Sequence, residues 1–123
     1  RILVVDDKVT SRRATAGMAE RKGHTVFAVS SGQEAVAAAL SHKFDVIALT
    51  AEMPGMSGMD AAGEIRQGEA ELGHRAYIVG VGPPDLSEAC TAAGMDGMVE
   101  RPMTEPDLSR VIERSGMVAT AAA

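Results

Sequence analysis

Five short apolar runs, which begin about 20 to 32 residues apart, constrain the fold of this chain more than any other feature. They are rich in β-branched residues, and each is followed by a segment of helix-forming residues. Such runs are typical of strands that are buried on both faces of a parallel sheet. The predicted strands are 2–5, 25–29, 45–50, 77–81 and 97–99. The predicted helices are 9–22, 31–42, 59–67, 85–93 and a last one that begins at Thr104.

Strands that alternate with helices over short connections indicate an α/β fold, in which helices cover both faces of a parallel sheet. In such open sheets, sites form beyond the carboxyl ends of the strands, at the point where the strand order reverses. The candidate site residues are therefore those that directly follow the strands, namely 6–7, 50–52, 81–82 and 100–102.

Several residues indicate where the helices begin and end. Gly23 and Gly94 follow two helical segments and favour their termination. The segment 31–34 has the pattern of a capping box, with Ser31 and Glu34 as its two members. Thr104 and Asp107 can cap the last helix in the same way. The lone Cys90 excludes an internal disulfide, and we expect it to pack as a small apolar residue on a helix.

Length and composition limit the class of protein. With 123 residues, the chain has room for one domain. It contains no apolar run of the roughly 20 residues that cross a membrane, and no signal peptide pattern. The net charge of −5 and only three aromatic residues argue against nucleic-acid binding. Because the chain opens on Arg1 in mid-pattern, we interpret it as a piece of a longer polypeptide.

The adjacent carboxylates of Asp6 and Asp7 form the clearest candidate site. Two neighbouring negative charges repel each other and favour a nearby cation, and a hard ion such as Mg²⁺ prefers oxygen ligands. The alternative is an acidic helix start, where negative charge interacts favourably with the helix dipole. From this pair alone, the helix-start interpretation is favoured.

Three motifs change that balance: ILVVDD, DVIALTAEMPGMSG and AAGMDGMVERPM. In this order, they resemble the receiver domain of two-component response regulators, and AAGMDGMVERP is most similar to the receivers of hybrid histidine kinases. The resemblance covers residues 1–114 and leaves 115–123 as a C-terminal tail or linker. It implies a flavodoxin-like sheet of strand order 2-1-3-4-5, with three helices on one face and two on the other.

The resemblance also implies a set of site residues. In that family, an acidic pair binds Mg²⁺, and an aspartate that ends the third strand accepts phosphate from a kinase histidine. A hydroxyl residue ends the fourth strand, an aromatic residue lies in the fifth, and a lysine precedes a cis-type proline. Here Asp6, Asp7 and Pro102 match the pattern. Four positions depart from it: Thr50 for the acceptor, Val81 for the hydroxyl, Met98 for the aromatic and Arg101 for the lysine.

These departures predict a pseudo-receiver that has lost phosphotransfer. A threonine hydroxyl is not ionised near neutral pH, and Val81 offers no donor to a phosphoryl oxygen. A weak or vestigial Mg²⁺ site would rest on Asp6, Asp7 and Glu52, so we expect no tightly bound cofactor. With the acceptor carboxylate missing, we further predict that the Arg101 guanidinium forms a hydrogen bond with Asp6 or Asp7.

Three functions follow as hypotheses. The first is a non-catalytic interaction domain that binds a histidine kinase or other domains of the same chain, with a homodimer through helix 4, strand 5 and helix 5 as a further option. The second is a sensor of a small molecule or cyclic dinucleotide, with Arg75 or Arg101 as the phosphate contact. The third is a metal-dependent hydrolase. We expect no nucleic acid or membrane contact, and a cytoplasmic location for a domain whose parent can be membrane-anchored.

Overall fold

The computed structural model describes residues 1–116. Its strands are β1 (Ile2–Val5), β2 (Val26–Val29), β3 (Val46–Thr50), β4 (Tyr77–Val81) and β5 (Gly97–Val99). Its helices are α1 (Val9–Arg21), α2 (Gly32–Ser41), α3 (Gly58–Leu72), α4 (Ser87–Ala92) and α5 (Glu105–Ser115). A single 3₁₀ turn, Pro84–Leu86, leads into α4. None of the helices in this part of the chain is both long and apolar enough to cross a membrane.

The strands form one parallel sheet in the order β2-β1-β3-β4-β5, which confirms the predicted topology. Side chains alternate between its faces. On one face, Leu3 and Ile47 pack under α2, α3 and α4, whereas on the other face Ile2 and Val46 pack under α1 and α5. Three helices therefore cover one face and two cover the other. The order reverses between β1 and β3, so the ends of these two strands define the candidate site.

Two helix boundaries differ from the predicted ones by two or more residues, and α5 runs one residue past the predicted end of the domain. Helix α3 continues to Leu72, because no residue before Gly73, with its φ of 69°, interrupts the turn pattern. Helix α4 begins two residues late, after the 3₁₀ turn. The predicted tail begins within α5, which reaches Ser115, and residues 117–123 of that tail lie outside the described residues.

The two predicted capping boxes have different outcomes. At α5 both halves form: Thr104 accepts from the Asp107 amide, and Asp107 accepts from the Thr104 amide. At α2 only half forms, because the Glu34 carboxylate accepts from the amide and hydroxyl of Ser30 rather than from Ser31. Cys90 is buried on α4 as predicted, and this burial raises the pKa of its thiol.

Gly58 fixes how the loop after β3 returns to the sheet. Its amide donates to the Ala51 carbonyl, with 2.8 Å between nitrogen and oxygen. A Cβ atom at position 58 would lie only 2.2 Å from the Thr50 carbonyl oxygen. Only glycine allows this approach, which places the start of α3 directly against the end of β3.

A charged network ties the opposite edge of the sheet together. Arg66 on α3 donates to the carboxylates of Glu69 and Asp96 over 2.8 and 2.7 Å, and to the backbone carbonyls of Gly94 and Ala76. Its side chain is 16% exposed. We call this set of residues, with Arg75, which also donates to Asp96, the Arg66 network. It holds the segment before β5 against α3 and the start of β4.

Candidate functional site

The ends of three neighbouring strands meet at the point where the strand order reverses. Asp6 and Asp7 follow β1, Thr50 is the last residue of β3, and Val81 is the last residue of β4. Thr50 and Val81 are direct neighbours in the sheet register. The structure thus brings four of the predicted site residues to one edge of the sheet.

Asp6 is buried, and its carboxylate is satisfied by the start of α1. It accepts hydrogen bonds from the Lys8 amide, over 3.0 Å, and from the Ser11 hydroxyl. Arg12 donates to the backbone carbonyl of Asp6 over 2.9 Å. Sequence reasoning missed Ser11 and Arg12 as partners of Asp6. The signal was present, since a donor on the first turn of a helix lies within reach of the residues just before it.

Asp7 is less well satisfied than Asp6. The Lys8 ammonium lies 3.8 Å from its Oδ2 atom, and Oδ1 is buried without a hydrogen-bond partner. A buried carboxylate oxygen that lacks a partner is uncommon in folded proteins. Such an oxygen can accept a hydrogen bond or coordinate a hard cation.

The Thr50 side chain is committed to the fold itself. Its hydroxyl is buried and donates to the Val5 carbonyl oxygen over 2.8 Å, which joins the ends of β3 and β1. The proton of this hydroxyl therefore points to the backbone of the neighbouring strand. Its bonding partner is a carbonyl oxygen, which is too weak a base to remove that proton.

The prediction of a bond between Arg101 and the acidic pair is wrong. Arg101, Asp6 and Asp7 all lie within the described residues. Arg101 is exposed and forms no hydrogen bond or ion pair with either aspartate. For Asp6, the physical reason is that the first turn of α1 already supplies its donors, so a guanidinium has little to gain by leaving water. For Asp7, the neighbouring cation is the Lys8 ammonium, 3.8 Å from its Oδ2 atom. The Arg101–Pro102 peptide bond is cis, as the resemblance implied.

The other predicted residues are dispersed. Glu52 is exposed, and residues 1–116 contain no group of three or more acidic, histidine or cysteine side chains placed to hold a metal ion. Asp6, Asp7 and Glu52 thus do not converge as one ligand set. Met98 is half-buried in β5 and packs against the core cluster beneath α4.

Comparison with known proteins identifies the family. Residues 2–113 match the response regulator receiver domain. This chain belongs to that family. Its receiver fold superposes on the receiver domain of the histidine kinase CKI1 from Arabidopsis thaliana, crystallised with Mg²⁺, with a TM-score of 0.83 and 29% identity, covering 93% of this chain and 90% of that one. The chemotaxis protein CheY4 of Vibrio cholerae gives a TM-score of 0.82 at 25% identity, covering 93% and 96%.

Similar sequences lie within much longer kinases. The receiver is 30% identical over 118 residues to the sensor histidine kinase AruS of Pseudomonas aeruginosa, covering 94% of this chain and 12% of AruS. It is 35% identical over 109 residues to the virulence sensor protein BvgS of Bordetella pertussis, covering 84% of this chain and 9% of BvgS. The chain therefore spans about a tenth of the length of these relatives. The receiver is a regulatory module and not an enzyme by itself.

Proposed function

We propose that this receiver domain regulates a partner by contact alone, without being phosphorylated. One observation carries the proposal: the side chain at the acceptor position, Thr50, is a buried hydroxyl that donates to the Val5 carbonyl. To attack a phosphorylated histidine, this hydroxyl would have to break that bond and lose its proton. A carboxylate at the same place would be ionised and ready to react.

The residues around Thr50 support the same proposal. Val81, its neighbour in the sheet, carries no hydroxyl to hold a phosphoryl oxygen. Arg101 keeps a positive charge, but the exposed guanidinium makes no contact with Asp6 or Asp7. The three groups that would accept, hold and neutralise a phosphoryl group are thus changed together.

The remaining residues at this edge fit a weakly bound Mg²⁺ ion as the cofactor. Asp6 and Asp7 supply carboxylate oxygens, and the unpartnered Oδ1 of Asp7 is the ligand that the fold leaves free. A bound Mg²⁺ would supply positive charge at this edge of the sheet. Because Thr50 contributes no negative charge, we expect Mg²⁺ affinity at least about tenfold below that of a three-carboxylate receiver.

The partners that we propose are kinase domains of the same chain or a separate signalling protein. The similar sequences in AruS and BvgS belong to kinases, and this supports the same-chain arrangement. In this proposal the domain works in the cytoplasm, without nucleic acid or membrane contact, and a homodimer through α4, β5 and α5 remains a further proposal.

The two competing hypotheses have less support. A cyclic-dinucleotide sensor would use Arg75 or Arg101 as a phosphate contact. Arg75 already donates to Asp96 over 2.6 Å, and the residues that line the groove beside Arg101 include no aromatic ring on which a base could stack. A hydrolase would need Glu52 beside Asp6 and Asp7, but Glu52 is exposed, and the described part of the chain contains no group of three such side chains placed to hold a metal ion.

The test is a phosphorylation assay with a designed positive control. The chain is incubated with acetyl phosphate and Mg²⁺, and its intact mass is measured before and after hydroxylamine. We expect no added phosphate. The triple variant Thr50→Asp, Val81→Ser, Arg101→Lys restores the three positions that contact the phosphoryl group in the family pattern, and it is expected to gain a hydroxylamine-labile phosphate. A stoichiometric labile phosphate on the unmodified chain would overturn the proposal.

A further inference from the structure

A groove separates helix α1 from the loop that follows β5. Its walls include Met18 and Arg21 of α1, Val81 of β4, and the loop residues Arg101 and Met103. Its volume is about 550 Å³. Sites for small molecules typically enclose about 300–1,000 Å³, with mostly apolar walls and a few polar groups. The groove lies beside the edge that carries the candidate phosphoryl site, but neither Asp7 nor Thr50 lines it.

Half of the residues that line the groove are apolar, among them Met18, Val81 and Met103. Met18 and Met103 are 6% and 7% exposed and form part of the core beneath α1 and α5. Val81 adds a further apolar side chain at the position where the family resemblance implies a hydroxyl. The substitution that removes a phosphoryl contact therefore also makes this wall more favourable for a hydrocarbon group. Methionine side chains adapt to irregular ligand shapes because they are unbranched and flexible.

Two positive charges line the same groove. Arg21 and Arg101 are exposed, and neither forms an ion pair or a hydrogen bond with any other described residue. Arg66 and Arg75, in contrast, are both paired with Asp96. A guanidinium offers a planar set of donors that matches a carboxylate in two parallel hydrogen bonds.

Asp6 also lines the groove and determines which end of a ligand is favoured beside it. Its carboxylate already accepts from Lys8 and Ser11, so it does not need a donor from a ligand. Its negative charge repels an acidic group nearby. The acidic end of a ligand is therefore favoured at the arginines and disfavoured beside Asp6.

We propose that this groove binds a small amphipathic carboxylic acid, whose hydrocarbon part packs on Met18, Val81 and Met103 and whose carboxylate pairs with Arg101. None of the lining residues is aromatic, so the groove offers no ring on which a nucleotide base could stack. The proposal goes beyond the contact role of the domain, and it stands whether or not Thr50 accepts phosphate.

The experiment uses two probes that differ only in the head group, 4-phenylbutyrate and 4-phenylbutan-1-ol. Each is titrated into the chain with ¹³C-labelled methionine methyl groups, and the spectra are recorded by NMR. We expect the Met18 and Met103 signals to shift, while Met53, which lies in the core on the other face of the sheet, stays in place. We expect the acid to bind at least about fivefold more tightly than the alcohol, because only the acid forms a charge-assisted pair.

Three variants test the assignment. Arg101→Gln should remove the preference for the acid, and Ala14→Leu, at an exposed position of α1 in the groove wall, should weaken both probes. Arg13→Gln, at an exposed position outside the wall, is the matched control and should change neither affinity. Equal affinity for the two probes, or an unchanged preference in Arg101→Gln, would overturn the proposal. Unshifted Met18 and Met103 signals would also overturn the proposal, and would favour a macromolecular partner as the occupant of the groove. The phosphorylation assay is a separate measurement, so its outcome is distinguishable from this one.

Discussion

The two edges of the sheet differ in how completely their charged side chains are paired. At the edge before β4 and β5, every charged group of the Arg66 network has a partner, and Asp96 alone accepts from Arg66, Arg75 and the Ile78 amide. At the other edge, Asp7 keeps a buried oxygen without a partner and Arg101 stays in solvent. Charges that stabilise a fold are paired inside it, whereas charges left unpaired are available for something that binds.

The largest effect is expected from breaking the Arg66 network. Arg66→Ala leaves Glu69 and Asp96 without their shared cation, and we expect a loss of about 3 kcal/mol in the free energy of unfolding. Urea denaturation followed by circular dichroism measures this. Arg101→Ala is the matched control at the opposite edge, and its effect should stay within about 0.5 kcal/mol. Equal losses in the two variants would contradict the contrast between the edges.

A second prediction concerns pH. Burial tends to raise the pKa of Asp96, but the hydrogen bonds from Arg75 and Ile78 and the charges of both arginines outweigh it and hold that pKa below its usual value. The stabilisation is therefore fully present above the pKa of an unfolded aspartate, about 3.9, and is lost as the pH falls through the lower folded value.

Asp96→Asn tests this pH dependence, because it removes the titrating group. We expect it to cost about 2 kcal/mol near pH 7. Urea titrations between about pH 7 and pH 2 should then show a smaller loss of stability on acidification than in the unmodified chain. Parallel curves for the two proteins would show that Asp96 does not contribute to acid unfolding.

The hydrogen bond between Thr50 and Val5 gives a third, smaller effect. Thr50→Val keeps the shape of the side chain but removes the donor, so we expect a loss of about 1–2 kcal/mol. Thr50→Ser keeps the hydroxyl and should lose less. The two variants compared by thermal unfolding separate the hydrogen bond from the packing of the methyl group. A Thr50→Val variant as stable as the unmodified chain would mean that the bond is not important for the fold.

The smallest effect on stability is expected at Asp7. Asp7→Asn removes a half-buried negative charge whose Oδ1 atom has no hydrogen-bond partner and whose one ion pair, with Lys8, is long at 3.8 Å, so stability without Mg²⁺ should stay equal or rise by up to about 1 kcal/mol. Mg²⁺ affinity, measured by calorimetric titration, should fall at least about tenfold in this variant. Sub-millimolar Mg²⁺ binding by the unmodified chain would argue against the weak site that we propose.

The contrast between the edges also shows what the sequence could reveal. Apolar runs and the glycines after the helices determine the sheet, because burial and backbone conformation are local properties. The same pattern places Asp6, Thr50 and Val81 at one edge, since parallel strands end together. It could not reveal that Thr50 donates to Val5, because that contact depends on the distance between two strands that are far apart in sequence.

Arg101 illustrates the remaining difficulty. Its position after β5 was correct, but the direction of a long, flexible side chain depends on which partners are already taken. Asp6 had closer donors on α1, which a search for opposite charges overlooked. The Arg66 network was missed for a similar reason, because Arg66 and Asp96 are separated by thirty residues in the chain.

The hydrogen bond from Thr50 to Val5 also has a consequence for how long a signal lasts. A receiver that accepts phosphate stores a stimulus for as long as the phosphoryl bond survives. A domain that works through contact alone, as we propose here, stores nothing between encounters. Its output follows the present concentration of its partner and how long each complex lasts. Such a domain is suited to set a steady threshold rather than to keep a memory of past signals.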